Sequence, residues 1–445
     1  RGTAQNFSID YPSYQNRNSD ALEISRIVRN DTATILYMDA YSRPNYWIRL
    51  ASGLSLHGNQ TGKNYPIIRS QGFELDKEVY MPASGNVTFS LQFAPLAPQE
   101  KMIDFIEGAN KGDFQIKSIS LNEQEKKGKI HCHISGKVID SPQSSRLVLM
   151  KAHKNPSSSP WLSIPIRNGE FQYDFYADHE EVYEVFIWND MLTGSWLPSL
   201  FFAENGPVSF TLYPASTRKP GLVSTSNPLT CELQQLESER KAKFNFDSLY
   251  AQMNKLYEEN RFESEALQTL WKKIEQVKDN NEERNNIYRE RDRLEESGEA
   301  YTEEGKALLA KIKQLNEEMN QWTIKHIKQN PSLPGLYVLT SKTEMARKGE
   351  DVTPFLNAYQ ETFASLYPEH PYGQQMQMLI KNGQPEIGKP YVDFSAPDLN
   401  GNKVQISKYI QGKVALIDLW ASWCGPCRVN SKQVIPCLLY TSDAA

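Results

Sequence analysis

The seven residues Ala421-Ser422-Trp423-Cys424-Gly425-Pro426-Cys427 constrain this chain more than any other stretch. They follow an apolar run, Val414-Ala415-Leu416-Ile417-Asp418-Leu419-Trp420, which reads as a buried parallel strand. Two cysteines spaced C-x-x-C, where a strand hands over to a helix, form a dithiol that can close into a disulfide. The pattern therefore asks for a strand–helix unit with both cysteines at the helix start.

The chemistry of such a pair follows from the thiolate. A free cysteine with a pKa near 8.5 is mostly protonated at neutral pH, and only the thiolate attacks a disulfide. At a helix N-terminus Cys424 meets unpaired backbone N–H groups and the positive end of the helix dipole, which stabilise its anion. Cys427 lies one turn deeper, so Cys424 is expected to form a mixed disulfide that Cys427 resolves. Pro426 suits a first helical turn. Arg428 adds a cation, and Trp423 with Gly425 and Pro426 shapes the site. Asp418 is a carboxylate within the apolar run. Burial there would raise its pKa and let it relay the proton of Cys427.

At 445 residues the chain has room for about three or four domains. Residues 1–125 read as a β-sandwich-like domain. Thr34–Met38, Tyr46–Leu50 and Val87–Phe93 are short β-branched or aromatic runs, the last with Val87, Phe89, Leu91 and Phe93 on one face. Residues 126–215 read as a second β domain, with Ile130, Cys132 and Ile134 on one strand face and Asn168-Gly169 as a hairpin turn. Residues 216–228, rich in Pro, Ser, Thr and Gly, read as a linker. From 229 to 384 the period becomes helical: Leu267, Leu270, Ile274 and Val277 repeat at helical spacing, as do Leu308, Ile312, Leu315, Met319 and Trp322. A long helical hairpin is expected around Ser297-Gly298, with breaks at Asn330-Pro331 and Leu333-Pro334-Gly335.

The segment 385–436 opens with a β-hairpin pattern, Asp393-Phe394 through Ile406 with Asn400-Gly401 as its turn, and then carries the apolar run and the dithiol. Its residues Gly388-Lys389-Pro390, Asp393-Phe394, Asp398-Leu399-Asn400-Gly401, Gly412-Lys413 and Asp418 through Arg428 resemble the opening of a thioredoxin-like domain of the TlpA/ResA class of thiol–disulfide reductases. That class overlaps the redoxin and alkyl hydroperoxide reductase/thiol-specific antioxidant superfamily. Asp418 falls on the position of the buried aspartate of thioredoxins. Asn430, Ser431 and Lys432 stand where many members carry Glu and Pro. The resemblance implies a multidomain protein: all-β modules, a helical middle region and the beginning of a thioredoxin-like α/β domain that the chain leaves incomplete. Residues 437–445 fit that domain badly and read as a non-native tail, resembling translated sequencing adapter. The resemblance also implies work in the periplasm or cell envelope, with a membrane tether outside this chain. Disulfide-bearing clients and a membrane thiol electron donor would be the partners. No cofactor is required, because the dithiol is the redox group.

Two other functions remain open: a peroxiredoxin-type antioxidant enzyme, and an envelope binding or assembly protein whose β and helical modules carry the function. A net charge of −5 gives no case for nucleic acid or an anionic membrane. No run reaches the roughly 18 apolar residues of a membrane span. Five cysteines with one C-x-x-C exclude a four-cysteine zinc ribbon within the chain. His131-Cys132-His133 looks like a metal cluster, but alternation puts Cys132 on the face opposite both histidines. Cys132 and Cys231 would have a disulfide open to them in an oxidising compartment. The aromatic run Trp188–Trp196 with Phe201-Phe202 suits core packing better than ligand binding, and the charged helices from Glu237 to Lys328 suit solvated faces.

Overall fold

The computed structural model describes residues 7–434 apart from 111, 123–129, 142, 157–158, 160, 278–279, 347–349, 383–387, 389, 392, 399–401, 419–426, 428–430 and 432–433. Two compact units result, residues 1–377 and 378–445.

The first unit begins with eleven strands: β1 (Phe7–Asp10), β2 (Asn16–Arg17), β3 (Leu22–Arg29), β4 (Thr34–Tyr41), β5 (Trp47–Ile48), β6 (Ser55–Gly58), β7 (Asn64–Gln71), β8 (Val79–Tyr80), β9 (Asn86–Phe93), β10 (Met102–Ile106) and β11 (Gln115–Ser120). Nine of them form one antiparallel sheet in the order β1-β3-β4-β9-β7-β6-β10-β11-β2; β5 and β8 pair separately. The expected pair of sheets is therefore one continuous sheet that curls around a common core. The join is β7, which pairs β6 on one side and β9 on the other, with a register shift between Ile67 and Arg69 that bends it. Leu36, Met38, Phe89, Leu91 and Phe93 meet Leu56, Ile103, Phe105 and Ile119 inside. Each such burial is worth roughly 1.5–3 kcal/mol.

A second β module follows: β12 (Ile130–Val138), β13 (Arg146–Lys151), β14 (Leu162–Pro165), β15 (Glu170–Ala177), β16 (Val182–Ile187), the short helix α1 (Trp188–Leu192), β17 (Ser199–Phe202), β18 (Gly206–Leu212) and β19 (Leu222–Ser224). Two four-stranded sheets, β15-β12-β18-β19 and β14-β13-β16-β17, face each other over one core. Strands β12 and β18 run parallel, and Gly136 allows their approach: a Cβ there would sit 2.2 Å from the Phe210 carbonyl oxygen. Asn168 and Gly169 both hold positive φ, as the two-residue turn requires. The linker reading is corrected over Leu222–Ser224, which pairs with β18 as a strand.

The β modules are locked together. Arg146, fully buried, donates from Nη1 to the Asp20 carbonyl at 2.9 Å, with its guanidinium 4.0 Å from the Tyr41 ring and 4.2 Å from the Trp188 ring. Burial pulls its pKa down to about 10. Beside it Arg167 Nη2 donates to the buried Asp39 Oδ1 at 2.8 Å.

The helical part comprises α2 (Pro228–Lys243), α3 (Asp247–Glu258), α4 (Glu265–Gln276), α5 (Asn281–Ser297), α6 (Glu303–Gln329), α7 (Leu333–Glu344), α8 (Thr353–Ala358) and α9 (Pro371–Asn382). Ser264, Thr302 and Ser332 accept from backbone amides at the starts of α4, α6 and α7. Gly298, at φ +74°, closes α5 and turns the chain into α6, the expected hairpin. Leu333-Pro334-Gly335 opens a helix instead of breaking one. Proline is tolerated in a first turn, and Gly335 lets α7 press close to Ile327 and Phe363. Residues Leu333 to Thr340 are all buried. Tyr337 binds His153 Nε2 through its hydroxyl at 2.8 Å, and the Tyr372 hydroxyl accepts from the Val182 amide at 2.6 Å, so α7 and α9 are docked on the second β module.

In the second unit, β20 (Ser395–Pro397) pairs antiparallel with β21 (Lys403–Gln405), followed by α10 (Ser407–Ile410). This is the expected hairpin; its Asn400-Gly401 turn lies outside the described residues.

Candidate functional site: the segment around Cys427

Asp393 organises the entry to this segment. Its Oδ1 accepts from the Ser407 amide at 2.9 Å and its Oδ2 from Gln405 Nε2 at 2.6 Å, tying the hairpin to the start of α10. The hydrogen bonds from Ser407 hold its carboxyl below the usual range. The apolar run after α10 corrects the sequence reading. Val414 through Asp418 are exposed and lie outside any strand, so the expected buried parallel strand is not formed over these residues. An apolar run is buried only where another element covers it, and among the described residues none pairs with this one. Asp418 is exposed with it, so the expected burial of its carboxylate within a strand is not formed.

Cys427, Ser431 and Val434 are helical and half-buried, at the i, i+4, i+7 spacing of one helix face. The Ser431 hydroxyl lies 3.0 Å from the Cys427 carbonyl oxygen, the back-bond of a helical serine, and 3.4 Å from Asp418 Oδ2. One hydroxyl proton serves either acceptor, so Ser431 links the helix to Asp418. The sequence marks Ser431 only as a departure from the family pattern and gives it no role; the signal available was its position four residues after Cys427. The Cys427 sulfur is engaged in a disulfide. Cys424, Trp423, Gly425 and Pro426 lie outside the described residues, as does Arg428.

The remaining candidates are placed by the folded β modules. Cys132 is buried in the second core, where burial pushes its thiol up to about 12, while His131 and His133 point the other way and share Asp174 Oδ1 at 2.8 and 3.0 Å. Cys132 and Cys231 are free thiols. Trp188, Phe201 and Phe202 are buried in the cores, and Trp196 stacks on Phe186. No group of three or more His, Cys, Asp or Glu positioned for a metal ion occurs among the described residues, and no helix among them is long and apolar enough to cross a membrane.

Residues 387–434 match the AhpC/TSA family. A stretch of 44 residues is 44% identical to the thiol:disulfide interchange protein DsbE of Pseudomonas fluorescens biotype C, covering 10% of this chain and 25% of that protein. Over 65 residues the chain is 40% identical to the DsbE of Allochromatium vinosum, covering 14% and 35%. The chain thus spans about a quarter to a third of the length of these curated relatives. Among solved structures, the type I pullulanase of Bacillus subtilis covers 38% of the chain at 10% identity with a TM-score of 0.12, too low to bear on the fold. The C-terminal segment, with its cysteine-bearing helix, is a redoxin segment of the thioredoxin-like superfamily.

Proposed function

We propose that this chain belongs to a thiol–disulfide oxidoreductase of the bacterial cell envelope that reduces client disulfides through Cys424 and Cys427. The observation that carries the reading is a disulfide-engaged Cys427 on a helical turn, inside a segment similar to two thiol:disulfide interchange proteins. In the reduced state the Cys424 thiolate attacks a client disulfide, forming a mixed disulfide and expelling one client thiolate. Cys427, deprotonated, attacks Cys424 Sγ; the second client thiolate leaves and the protein retains a Cys424–Cys427 disulfide. A membrane thiol donor returns the two electrons. Trp423, Gly425 and Pro426 shape the approach to Cys424. Asp418, 3.4 Å from the Ser431 hydroxyl, is the proposed proton relay for Cys427.

Replacing Cys424 by Ser in the full-length protein tests the reading. Loss of client-disulfide reduction is expected; unchanged reduction would refute it. The AhpC/TSA match favours a second reading, a peroxiredoxin-type enzyme. Peroxide consumption at a rate exceeding disulfide reduction would select it.

A further inference from the structure

Helix α9 starts on a proline, and that changes what its first turn needs. Pro371 has no N–H, so the Tyr372 amide is the first donor of the helix in want of an acceptor. The acceptor is a histidine side chain: the Tyr372 amide donates to His370 Nδ1 at 3.2 Å. The His370 carbonyl takes the first helical bond, from the Gln374 amide at 2.9 Å. His370 thus holds the N-cap position, where Ser, Thr, Asp or Asn is preferred. A serine or asparagine oxygen accepts whatever the pH. An imidazole nitrogen accepts only while it carries no proton.

The capped turn is also a docking turn. Tyr372 is buried; its hydroxyl accepts from the Val182 amide of β16, and its ring centroid lies 5.7 Å from that of Tyr337 on α7. One residue on, the Gly373 carbonyl accepts from the Tyr359 hydroxyl at 3.1 Å. Freeing the backbone at Tyr372 therefore loosens contacts with a strand and with two helical segments.

His370 is half-buried against the turn between β15 and β16. Tyr372 and Tyr367 face it from its own side, with ring centroids 4.9 and 6.5 Å away. From the turn come His179, at 5.9 Å between ring centroids, with Glu180 and Glu181. The Glu181 carboxylate is already paired with Lys151. Burial holds the imidazole below its ordinary range, with Glu181 and Glu180 opposing and His179 adding to the effect of burial. The fold favours the neutral ring. The stability this contributes is full above the ordinary histidine value of about 6.5 and is lost as pH falls through the lower folded value.

We propose that His370 is an acid-sensitive cap: neutral, it holds the first turn of α9 on the second β module, and protonated, it releases that turn. The added proton turns the acceptor into a donor that faces the Tyr372 N–H. It also places a cation at the positive end of the α9 dipole. Helix α9 precedes the redoxin segment in the chain, so acid loosens the anchor on the amino-terminal side of that segment. The device does not rest on the dithiol and stands apart from the reductase reading.

The test is hydrogen–deuterium exchange of the whole chain, read over residues 371–382 at pH 7.5 and pH 5 and corrected for the intrinsic pH dependence of exchange. Protection of α9 should be about fivefold lower at pH 5, the worth of one cap. His370→Asn keeps a cap acceptor that does not titrate and should hold the native pH 7.5 protection at both values. His370→Ala should show the lowered protection at both. His153→Gln, His179→Gln and Glu184→Gln change other titratable groups around this interface and should keep the native fall. Protection over β4, in the first β module, reports that each variant is folded. Equal native protection at the two pH values, a fall that persists in His370→Asn, or a fall abolished by any of the other three glutamine variants overturns the proposal.

Discussion

Strand β4 and the run Val414–Asp418 are similar in composition and opposite in fate. In β4, Leu36, Met38 and Ala40 are 0% exposed between β3 and β9; in the later run Val414 is fully exposed and Leu416 is 63% exposed. Both are apolar and of strand length. Hydrophobicity gives a segment a reason to be covered, and non-local partners decide whether it is. Stability in this chain accordingly resides in the first unit, while the candidate redox chemistry resides in the second, where the described apolar run is exposed.

Separating the two properties by mutation would sharpen or break that contrast. The largest effect is expected for Cys427→Ser: steady-state client reduction should fall on the order of a thousandfold, with a mixed disulfide at Cys424 trapped on non-reducing gels and the thermal transition unmoved. Arg146→Ala should do the reverse. It empties the space between Tyr41 and Trp188 and should cost about 3–5 kcal/mol in denaturant unfolding, while Arg146→Met should recover much of it. The direct comparison is Leu36→Ala, expected to cost about 2–5 kcal/mol, against Leu416→Ala, expected to stay within about 0.5 kcal/mol. Equal losses would show that the later run is as well packed as β4.

The smallest effect is a pH dependence. Burial raises the Glu184 carboxyl to about 7, with the His153 amide opposing weakly at 3.5 Å. In the unfolded chain it ionises near 4.5. The folded state therefore keeps the proton longer, and the stability this contributes is full below 4.5 and lost as pH rises through 7. Glu184→Gln should gain roughly 2 kcal/mol relative to the native protein at pH 8 and nothing at pH 4. A gain independent of pH would assign the effect to packing.

Local chemistry made much of this legible. The alternation of Phe89, Leu91 and Phe93 marked a half-buried strand, Asn168-Gly169 marked a two-residue turn and Gly298 marked a helix end, because each is decided by neighbours in sequence. Non-local pairing was not legible. The parallel contact of β12 with β18 joins residues some seventy positions apart, and nothing in β7 announces that it pairs on both edges. Leu333-Pro334-Gly335 misled because proline marks helix starts as well as stops. At the site the cysteine spacing was visible, but the exposure of Asp418 was not, since burial belongs to the whole fold. Ser431 escaped because a back-bonding serine looks like any polar helix residue.

Arg146 ties the two β modules to each other. Its charge sits in the second β module, and the carbonyl and ring that hold it belong to the first. A hinge between the modules would have to pull that cation out of its aromatic slot, so the pair should open together or not at all. Proteolysis of the native protein should then release no free amino-terminal module, and amides on both sides of this contact should exchange with solvent at matching rates.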